Sequence, residues 1–286
     1  MNRNSLKFNT KLLLLAVTLL AVSCNKNNGD DKKDVSYDAA ENNAFAEAQY
    51  NDVTVLVDQS ATSGTVAFGA AGTGSGNEVN GPQGPCVTVT VDTTVSPRSI
   101  IIDFGSTNCL CLDGRNRRGK ILATYTGHYF APGTVINISF DNYYVNENKI
   151  SGTKKITNQG NNQAGNQVYK VEVNGQVVKA NNLGTYTWVS TRYREWKSGA
   201  LTPLNILDDV YGITGNAGGV NTDGNDYSIV ATQELVRKMN CRWFESGILE
   251  LTQTGLPKVT LDYGSTGCDA AATIKVLDVT YPVILQ

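Results

Sequence analysis

The stretch Asp103-Phe104-Gly105-Ser106-Thr107-Asn108-Cys109 recurs near the end of the chain as Asp262-Tyr263-Gly264-Ser265-Thr266-Gly267-Cys268, with five of the seven positions identical. Each copy follows a short apolar run that is typical of a β-strand. Each also has a second cysteine upstream, which is Cys86 for the first copy and Cys241 for the second. The chain therefore contains an internal repeat, and we expect its two copies to occupy equivalent places in the fold.

The repeat predicts a disulfide pairing that a count of cysteines alone does not supply. Cys86 would pair with Cys109, and Cys241 with Cys268. Each bond would close a loop of roughly 25 residues and contribute about 3.5 kcal/mol on the chain-entropy model. Cys111 is left over, and because it lies two residues from Cys109 it is an alternative partner for Cys86.

Strand patterns dominate residues 86–286, whose duplicated unit we place at 86–127 and 241–281. Apolar and polar residues alternate from Cys86 to Asp92 and again from Thr134 to Asn146, as in strands with one buried face. Glycines recur inside strand patterns and indicate bulges or bends, as at Gly152, Gly215 and Gly247. We predict an all-β fold, built as an antiparallel curved sheet, a sandwich or a partly closed barrel.

Two turns are predicted with some precision. The pair Asn174-Gly175 lies between strand-like runs and is a strong hairpin signal, because both residues tolerate positive φ. A second turn is expected around Asn146-Glu147-Asn148. Both turns would join neighbouring antiparallel strands.

The chain begins with the layout of a secretory signal peptide over residues 1–23, a basic region followed by the apolar run Leu12–Val22. The run Leu20-Ala21-Val22-Ser23-Cys24 resembles the lipobox of bacterial lipoproteins, which implies that Cys24 carries acyl chains such as palmitate. The alternative is an ordinary signal peptide with Cys24 as a spare thiol. Residues 24–35 are almost entirely polar up to the final Val35, and they predict a solvated tether.

Two segments separate the tether from the β domain. Residues 36–62 predict one amphipathic helix, because several apolar side chains fall on one helical stripe; an extended end at Val53–Val57 is the alternative. Residues 63–85 are rich in glycine and predict a flexible linker or an irregular cover loop.

Charge and composition narrow the function. Without residues 1–23 the chain has 21 basic and 26 acidic residues, a net charge of −5, which disfavours nucleic acid as a partner. His128 is the only histidine, so serine or cysteine hydrolases and zinc enzymes are disfavoured. We assign no catalytic residue, no metal site and no cofactor. A carboxylate-only glycosidase needs two flanking acids, for which Asp208-Asp209 is a weak candidate.

Two polar loops have compositions that ligand sites also use. Asp113 to Lys120 holds four cations and would suit an anionic glycan, although an exposed hairpin tip is the simpler interpretation. Asn221 to Asp226 has the oxygen-rich composition of a calcium loop but lacks the later bidentate acid, so a turn is favoured.

One strand offers a candidate ligand-binding face. Alternation from Tyr186 to Trp196 places aromatic rings and arginines on the same side, which would suit sugar stacking or cation–π contacts. The competing interpretation is a core face whose arginine stems pack along rings. The candidate residues are Tyr186, Trp188, Arg192, Arg194 and Trp196.

Several motifs, taken with the lipobox and the repeat, resemble an uncharacterised family of secreted β-rich lipoproteins from Bacteroidetes over about residues 85–286. They are Asp141-Asn142-Tyr143-Tyr144-Val145, Trp196-Lys197-Ser198-Gly199, Asp209-Val210-Tyr211-Gly212-Ile213-Thr214-Gly215 and Cys241-Arg242-Trp243. The resemblance implies location and architecture, and it carries over no catalytic residue.

The sequence as a whole therefore favours a non-enzymatic lipoprotein of the outer membrane, anchored by lipid and facing the cell surface. Its β domain would be a structural or binding module for a glycan or an envelope protein. The alternatives are a carboxylate-dependent glycan-processing enzyme and a small-ligand carrier with a lumen lined by Trp188 and Trp196.

Overall fold

The computed structural model describes residues 38–62, 86–128, 131–202, 205–241, 243–265 and 267–285. All of them belong to one compact unit, Val35–Gln286, which holds its own core and both disulfides and is therefore expected to fold when expressed alone. The expected signal peptide, tether, lipidated Cys24 and glycine-rich segment 63–85 lie outside the described residues. Within the described part, no helix combines the length and apolar character that crossing a bilayer requires.

One α-helix precedes the β domain in the described chain, as the sequence predicts, and fourteen strands follow it. The elements are α1 (Asp38–Thr62), β1 (Thr88–Asp92), β2 (Arg98–Asp103), β3 (Cys109–Leu110), β4 (Asn116–Tyr125), β5 (Val135–Val145), β6 (Asn148–Asn161), β7 (Gln167–Val178), β8 (Thr185–Ser198), β9 (Val210–Val220), β10 (Asp226–Lys238), β11 (Ser246–Gln253), β12 (Val259–Asp262), β13 (Ala271–Val276) and β14 (Val279–Ile284).

The strands form a single antiparallel sheet in which nearly every strand pairs with its neighbours in sequence. The exception is β3, which pairs with β4 beyond the end of β2. Among the described strands, the two at the ends of the sheet, β1 and β14, do not pair with each other. The predicted all-β class and curved antiparallel sheet are confirmed, and the sheet is open.

The glycines inside strands mark bulges, as the sequence predicts. Gly152, Gly215 and Gly247 each lie where the pairing register shifts, and each has positive φ. A Cβ at Gly215 would overlap the backbone of the neighbouring strand. Bulges of this kind bend a strand and increase its twist, so these three positions help the sheet to curve.

The predicted hairpin at Asn174-Gly175 is wrong, because β7 runs without interruption through both residues. Gly175 pairs with Gly152 of β6 and with Trp188 of β8. A side chain at Gly175 would meet the ring of Tyr50 from α1. Glycine is thus required here by the close approach of the helix, and the turn between β7 and β8 lies further along the chain.

The helix predicted at residues 36–62 is present as α1, but it lacks the single apolar face of an amphipathic helix. Among residues 39–61 only Glu41 is exposed. The helix contacts β1 and β2 near one end of the sheet and β8 near its middle. The helix buries polar side chains as well as apolar ones, for example Asn43 and Glu47 as well as Val53 and Val57. A helix can bury polar side chains together with apolar ones, provided that the buried polar groups find partners.

The two copies of the repeat share one local geometry. Asp103 ends β2 and Asp262 ends β12, and each carboxylate accepts a hydrogen bond of 2.8 Å from the amide of the glycine two residues later. Those glycines have φ of 80° and 77°. The ring between aspartate and glycine is buried in both copies, 1% exposed for Phe104 and 7% for Tyr263.

Both predicted disulfides are present. Cys86 is bonded to Cys109 with Cα atoms 5.8 Å apart, and Cys241 to Cys268 with Cα atoms 5.5 Å apart. Cys111 is a buried thiol. The alternative pairing of Cys111 with Cys86 does not occur in the structure.

Candidate functional site

The aromatic and arginine face predicted on β8 lies inside the sheet against α1. Trp188 donates from Nε1 to Oδ1 of Asn43 over 2.8 Å, and its ring stacks on Tyr50 with centroids 5.4 Å apart. Four of the five candidates are at most 5% exposed, so the face is a core face and not an open platform for sugars. Those four are Tyr186, Trp188, Arg192 and Trp196.

Ion pairs join this face to the helix. The Arg192 guanidinium lies 3.1 Å from the Glu47 carboxylate, with both side chains 5% exposed, and Arg194 lies 3.6 Å from Asp58. Arg194 also lies over the ring of Tyr211 at 3.9 Å, a cation–π contact. The acids of α1 thus balance basic groups on the inner face of the sheet.

Lys154 of β6 adds a third buried base. Its Nζ donates to the backbone carbonyl oxygen of Tyr50 over 2.6 Å. Burial, helped by the nearby Arg194, lowers the pKa of Lys154 to about 7, although acids of the helix act in the opposite direction. This lysine is a structural contact to the helix backbone.

Asp209, one of the two acids of the candidate carboxylate pair, is buried at the start of β9. It accepts hydrogen bonds of 3.0 Å from Nε1 of Trp196 and from the hydroxyl of Tyr211. Burial raises the pKa of Asp209 to about 6 although these two donors favour the ionised form. Its neighbour Asp208 is exposed and accepts from Thr202. The two acids therefore do not face a common cleft.

The basic loop after Cys111 forms internal ion pairs. Burial alone would raise the pKa of Asp113, but Arg117 and Arg115 outweigh it and lower this pKa to about 2. Arg117 is fully buried. Every cation of the loop has an acidic partner: Arg115 and Arg117 pair with Asp113, Arg118 with Glu147, and Lys120 with Asp103. The cations of the loop are thus paired with nearby acids, and the loop gives no support to binding of an anionic glycan.

The oxygen-rich segment between β9 and β10 is a turn, as favoured from its sequence. Oδ1 of Asn221 accepts hydrogen bonds from the amides of Asp223 and Asn225, at 3.1 and 2.8 Å. Gly224 takes φ of 84°. Across the described residues, no group of three or more histidine, cysteine or acidic side chains is arranged to hold a metal ion. His128 is exposed at the end of β4.

Two cavities lie beside α1. The larger one, of about 560 Å³, lies between the first turns of the helix and the last strands of the sheet. Its helix wall includes Ala40, Ala44 and Phe45, and its polar groups, among them Asn42 and Lys179, come from the helix and from the ends of β6 to β8. The opposite wall is apolar and consists of side chains from the last three strands and the residue after them: Leu261, Ile274, Tyr281, Val283, Ile284 and Leu285.

A smaller cavity of about 300 Å³ lies beside the next turns of the same helix. Aromatic rings line one part of it, and the rings of Phe244 and Tyr263 meet edge to face with centroids 5.1 Å apart. Two acids and two arginines line it as well: Glu47, Asp52, Arg115 and Arg237. The rest of the described lining consists of amide side chains, the indole of Trp243 and apolar side chains such as Ala48 and Val145.

The two cavities adjoin, because Ala44, Phe45 and Leu285 line both. Together they follow one side of the N-terminal half of α1. Both linings are mainly apolar, but charged and amide side chains make up seven of the fifteen described lining residues of the smaller cavity and four of the fourteen of the larger one. A pocket with apolar walls and a few placed polar groups is the usual form of a small-molecule site.

Sequence reasoning missed most of these residues. The cavities combine side chains from α1, from the turns near β4 to β8, and from the chain after β10, which are far apart in sequence. Tyr186 is the one residue of the predicted face that lines a cavity. Trp243 belongs to the motif Cys241-Arg242-Trp243, but no periodic pattern of residues marked it as part of a site. The presence of aromatics near Cys241 was the only available signal.

Comparison of the chain with protein-family models, with curated protein sequences and with solved structures gives no match.

Proposed function

We propose that the protein is a lipid-anchored protein of the outer membrane, facing the cell surface, whose β domain binds a small amphipathic molecule. The observation that carries the binding role is the pair of adjoining cavities beside α1, both mainly apolar and the smaller one richer in charged and amide side chains. Their volumes of about 560 and 300 Å³ suit small ligands.

The location is supported by the sequence. Residues 1–23 have the layout of a signal peptide, and Cys24 stands where lipobox cysteines are acylated. Two or more acyl chains hold a protein on a membrane stably, whereas one chain does so only marginally. The disulfides agree with an oxidising compartment.

A binding role is favoured over a glycan-processing enzyme by the state of the acids. The carboxylates of the smaller cavity, Glu47 and Asp52, form ion pairs with Arg192 and Arg115 of the sheet. Such pairs use both acids to hold the helix in place. The small-ligand carrier keeps its role but has a different site. The helix α1 fills the space beside Trp188, so the space for a ligand lies in the two cavities beside the helix.

The test is binding of a neutral apolar dye, N-phenyl-1-naphthylamine, to residues 35–286 expressed alone. We expect saturable binding with one site per chain and at least tenfold weaker binding by Ala40→Trp, which fills the larger cavity. The control is Thr232→Trp, which adds the same indole at an exposed position of β10 outside both cavities. A second variant, Ile284→Asp, places a charge on the exposed side chain at the cavity wall. Absence of dye binding, or equal binding by all four proteins, would refute the proposal.

A further inference from the structure

We infer that the ligand is a single-chain glycolipid, with its apolar chain in the larger cavity and an uncharged sugar in the smaller one. This inference rests on the proposed function, because it assigns a ligand class to the same pair of cavities. It is carried by the different chemistry of the two walls and by the residues that they share.

The larger cavity fits an apolar chain. Its far wall is built from side chains of β12, β13 and β14, including Leu261, Ile274 and Val283, which present only hydrocarbon. Its charged groups are one acid and one base, Glu41 and Lys179, so the described lining is balanced in charge. Each methylene group buried against such a wall favours binding through the hydrophobic effect.

The smaller cavity fits a sugar. Trp243, Phe244 and Tyr263 offer ring surfaces to the C–H face of a pyranose, and the planar polar side chains offer both donors and acceptors. Sugar hydroxyls donate and accept in the same way. The amide side chains of Gln49, Asn51 and Asn146 offer donors and acceptors, and the guanidinium of Arg237 is a further donor.

The charge of the smaller cavity argues against an anionic head group. Two acids and two arginines line it, so the described charges cancel. A phosphate or sulfate would lose its hydration without a net positive charge in the described lining to compensate, which is costly in a partly enclosed site. A neutral hydroxylated head group satisfies the same side chains without that cost.

The junction sets the shape of the ligand. Ala44, Phe45 and Leu285 line both cavities, and Ala44 has the smallest side chain of the three. A ligand that occupies both spaces must pass this junction, which suits one unbranched chain joined to one head group. Two-chain lipids would leave a second chain outside the apolar wall.

The test measures displacement of the bound naphthylamine dye from residues 35–286 by decyl maltoside, by decanol and by maltose, all below the micellar concentration. We expect decyl maltoside to bind at least tenfold more tightly than decanol, and maltose alone not to displace the dye. Octyl maltoside should bind about tenfold more weakly than decyl maltoside, because it buries two fewer methylene groups.

Variants separate head from chain. Trp243→Ala and Arg237→Gln should weaken decyl maltoside by about tenfold and leave decanol unchanged. The matched control is Tyr193→Ala, which removes an exposed ring from β8 outside both cavities. Ala40→Trp should weaken both ligands.

The glycolipid assignment would be overturned by equal affinity for decyl maltoside and decanol. It would also be overturned if Trp243→Ala and Arg237→Gln lowered the affinity for both ligands equally. In either case, binding of the dye would still support the proposed function. Loss of dye binding by the unmodified protein would instead overturn the proposed function itself.

Discussion

The phenol ring of Tyr50 on α1 lies against the backbone of Gly175 in β7, in the space that any side chain at residue 175 would need. The same phenol donates a hydrogen bond of 2.7 Å to the carbonyl oxygen of Ser151 in β6. Tyr50 also stacks on Trp188 of β8. One side chain of the helix thus contacts three successive strands at the middle of the sheet.

Replacing Gly175 with alanine should therefore push the helix away from the sheet. We expect Gly175→Ala to lower the free energy of unfolding by about 1–3 kcal/mol, the usual cost of overpacking, measured by urea denaturation. Asn174→Ala, at the adjacent exposed position, is the control and should change stability little. Equal effects of the two substitutions would show that the contact with Tyr50 is unimportant.

The buried pair of Glu47 and Arg192 predicts that substitutions of these two residues have strongly non-additive effects on the free energy of unfolding. Arg192→Met alone should cost about 3–5 kcal/mol, because it leaves the Glu47 carboxylate buried without its partner. The double variant Glu47→Leu/Arg192→Met should recover much of that loss. An exposed pair, Lys258 with Glu250, gives the control, since Lys258→Met should cost at most about 1 kcal/mol. Additive losses in the double variant would contradict a coupled pair.

Lys154 predicts how stability changes with pH. Its pKa in the folded protein is about 7, below the usual 10.5, so between these values the unfolded chain binds more protons. The free energy of unfolding should then rise with pH over this interval, and the cost of charging Lys154 is complete below pH 7. Relative to Lys154→Met, the free energy of unfolding of the unmodified protein should increase by up to about 1.4 kcal/mol for each unit rise in pH.

This comparison is made by urea denaturation at several pH values from 6 to about 9.5. Lys155→Met, at the adjacent exposed position, is the control and should follow the unmodified protein. Parallel profiles for the unmodified protein and Lys154→Met would mean that Lys154 is charged when folded.

The cysteines predict a specific pattern of bonds. Peptide mapping without reduction should link Cys86 to Cys109 and Cys241 to Cys268. Cys111 should resist thiol reagents until the protein unfolds, because it is buried and burial raises its pKa. Loss of the first bond in Cys86→Ala/Cys109→Ala should cost about 3 kcal/mol. A mapped bond between Cys111 and any other cysteine would contradict the structure.

Lipidation at Cys24 is tested in cells. Globomycin, which blocks the lipoprotein signal peptidase, should cause the precursor to accumulate, and Cys24→Ser should remove the incorporation of labelled palmitate. Surface exposure is checked by adding protease to intact cells. Normal processing in the presence of globomycin would refute the lipoprotein assignment.

The local features of the fold were predictable, because they depend on neighbouring residues. The alternation in β5 gave a strand in the right place, and the glycine bulges followed from Gly152 and Gly215. The disulfides followed from the repeat, since two similar segments of sequence adopt one geometry. The expected turn around Asn146 and Glu147 is also present between β5 and β6.

The features that depend on distant contacts were not predictable. Asn174-Gly175 has the composition of a turn, but the ring of Tyr50, which lies far away in sequence, decides its conformation. The apolar stripe of α1 predicted one apolar buried face, whereas the helix also buries polar side chains such as Asn43 and Glu47, whose partners come from distant strands. The β8 face was ambiguous for the same reason, since Trp188 and Arg192 would suit either a ligand or a partner helix.

The polar character of α1 has a consequence for biogenesis. If the chain is exported from its N-terminus, as we propose, the helical segment emerges from the translocon before any strand that will enclose it. A segment with only hydrocarbon on every side would adhere to lipid or to other nascent chains during that delay. Asn43, Glu47 and Gln59 would give the emerging peptide polar groups that water can solvate. Glu47 would then pair with Arg192 once β8 has formed.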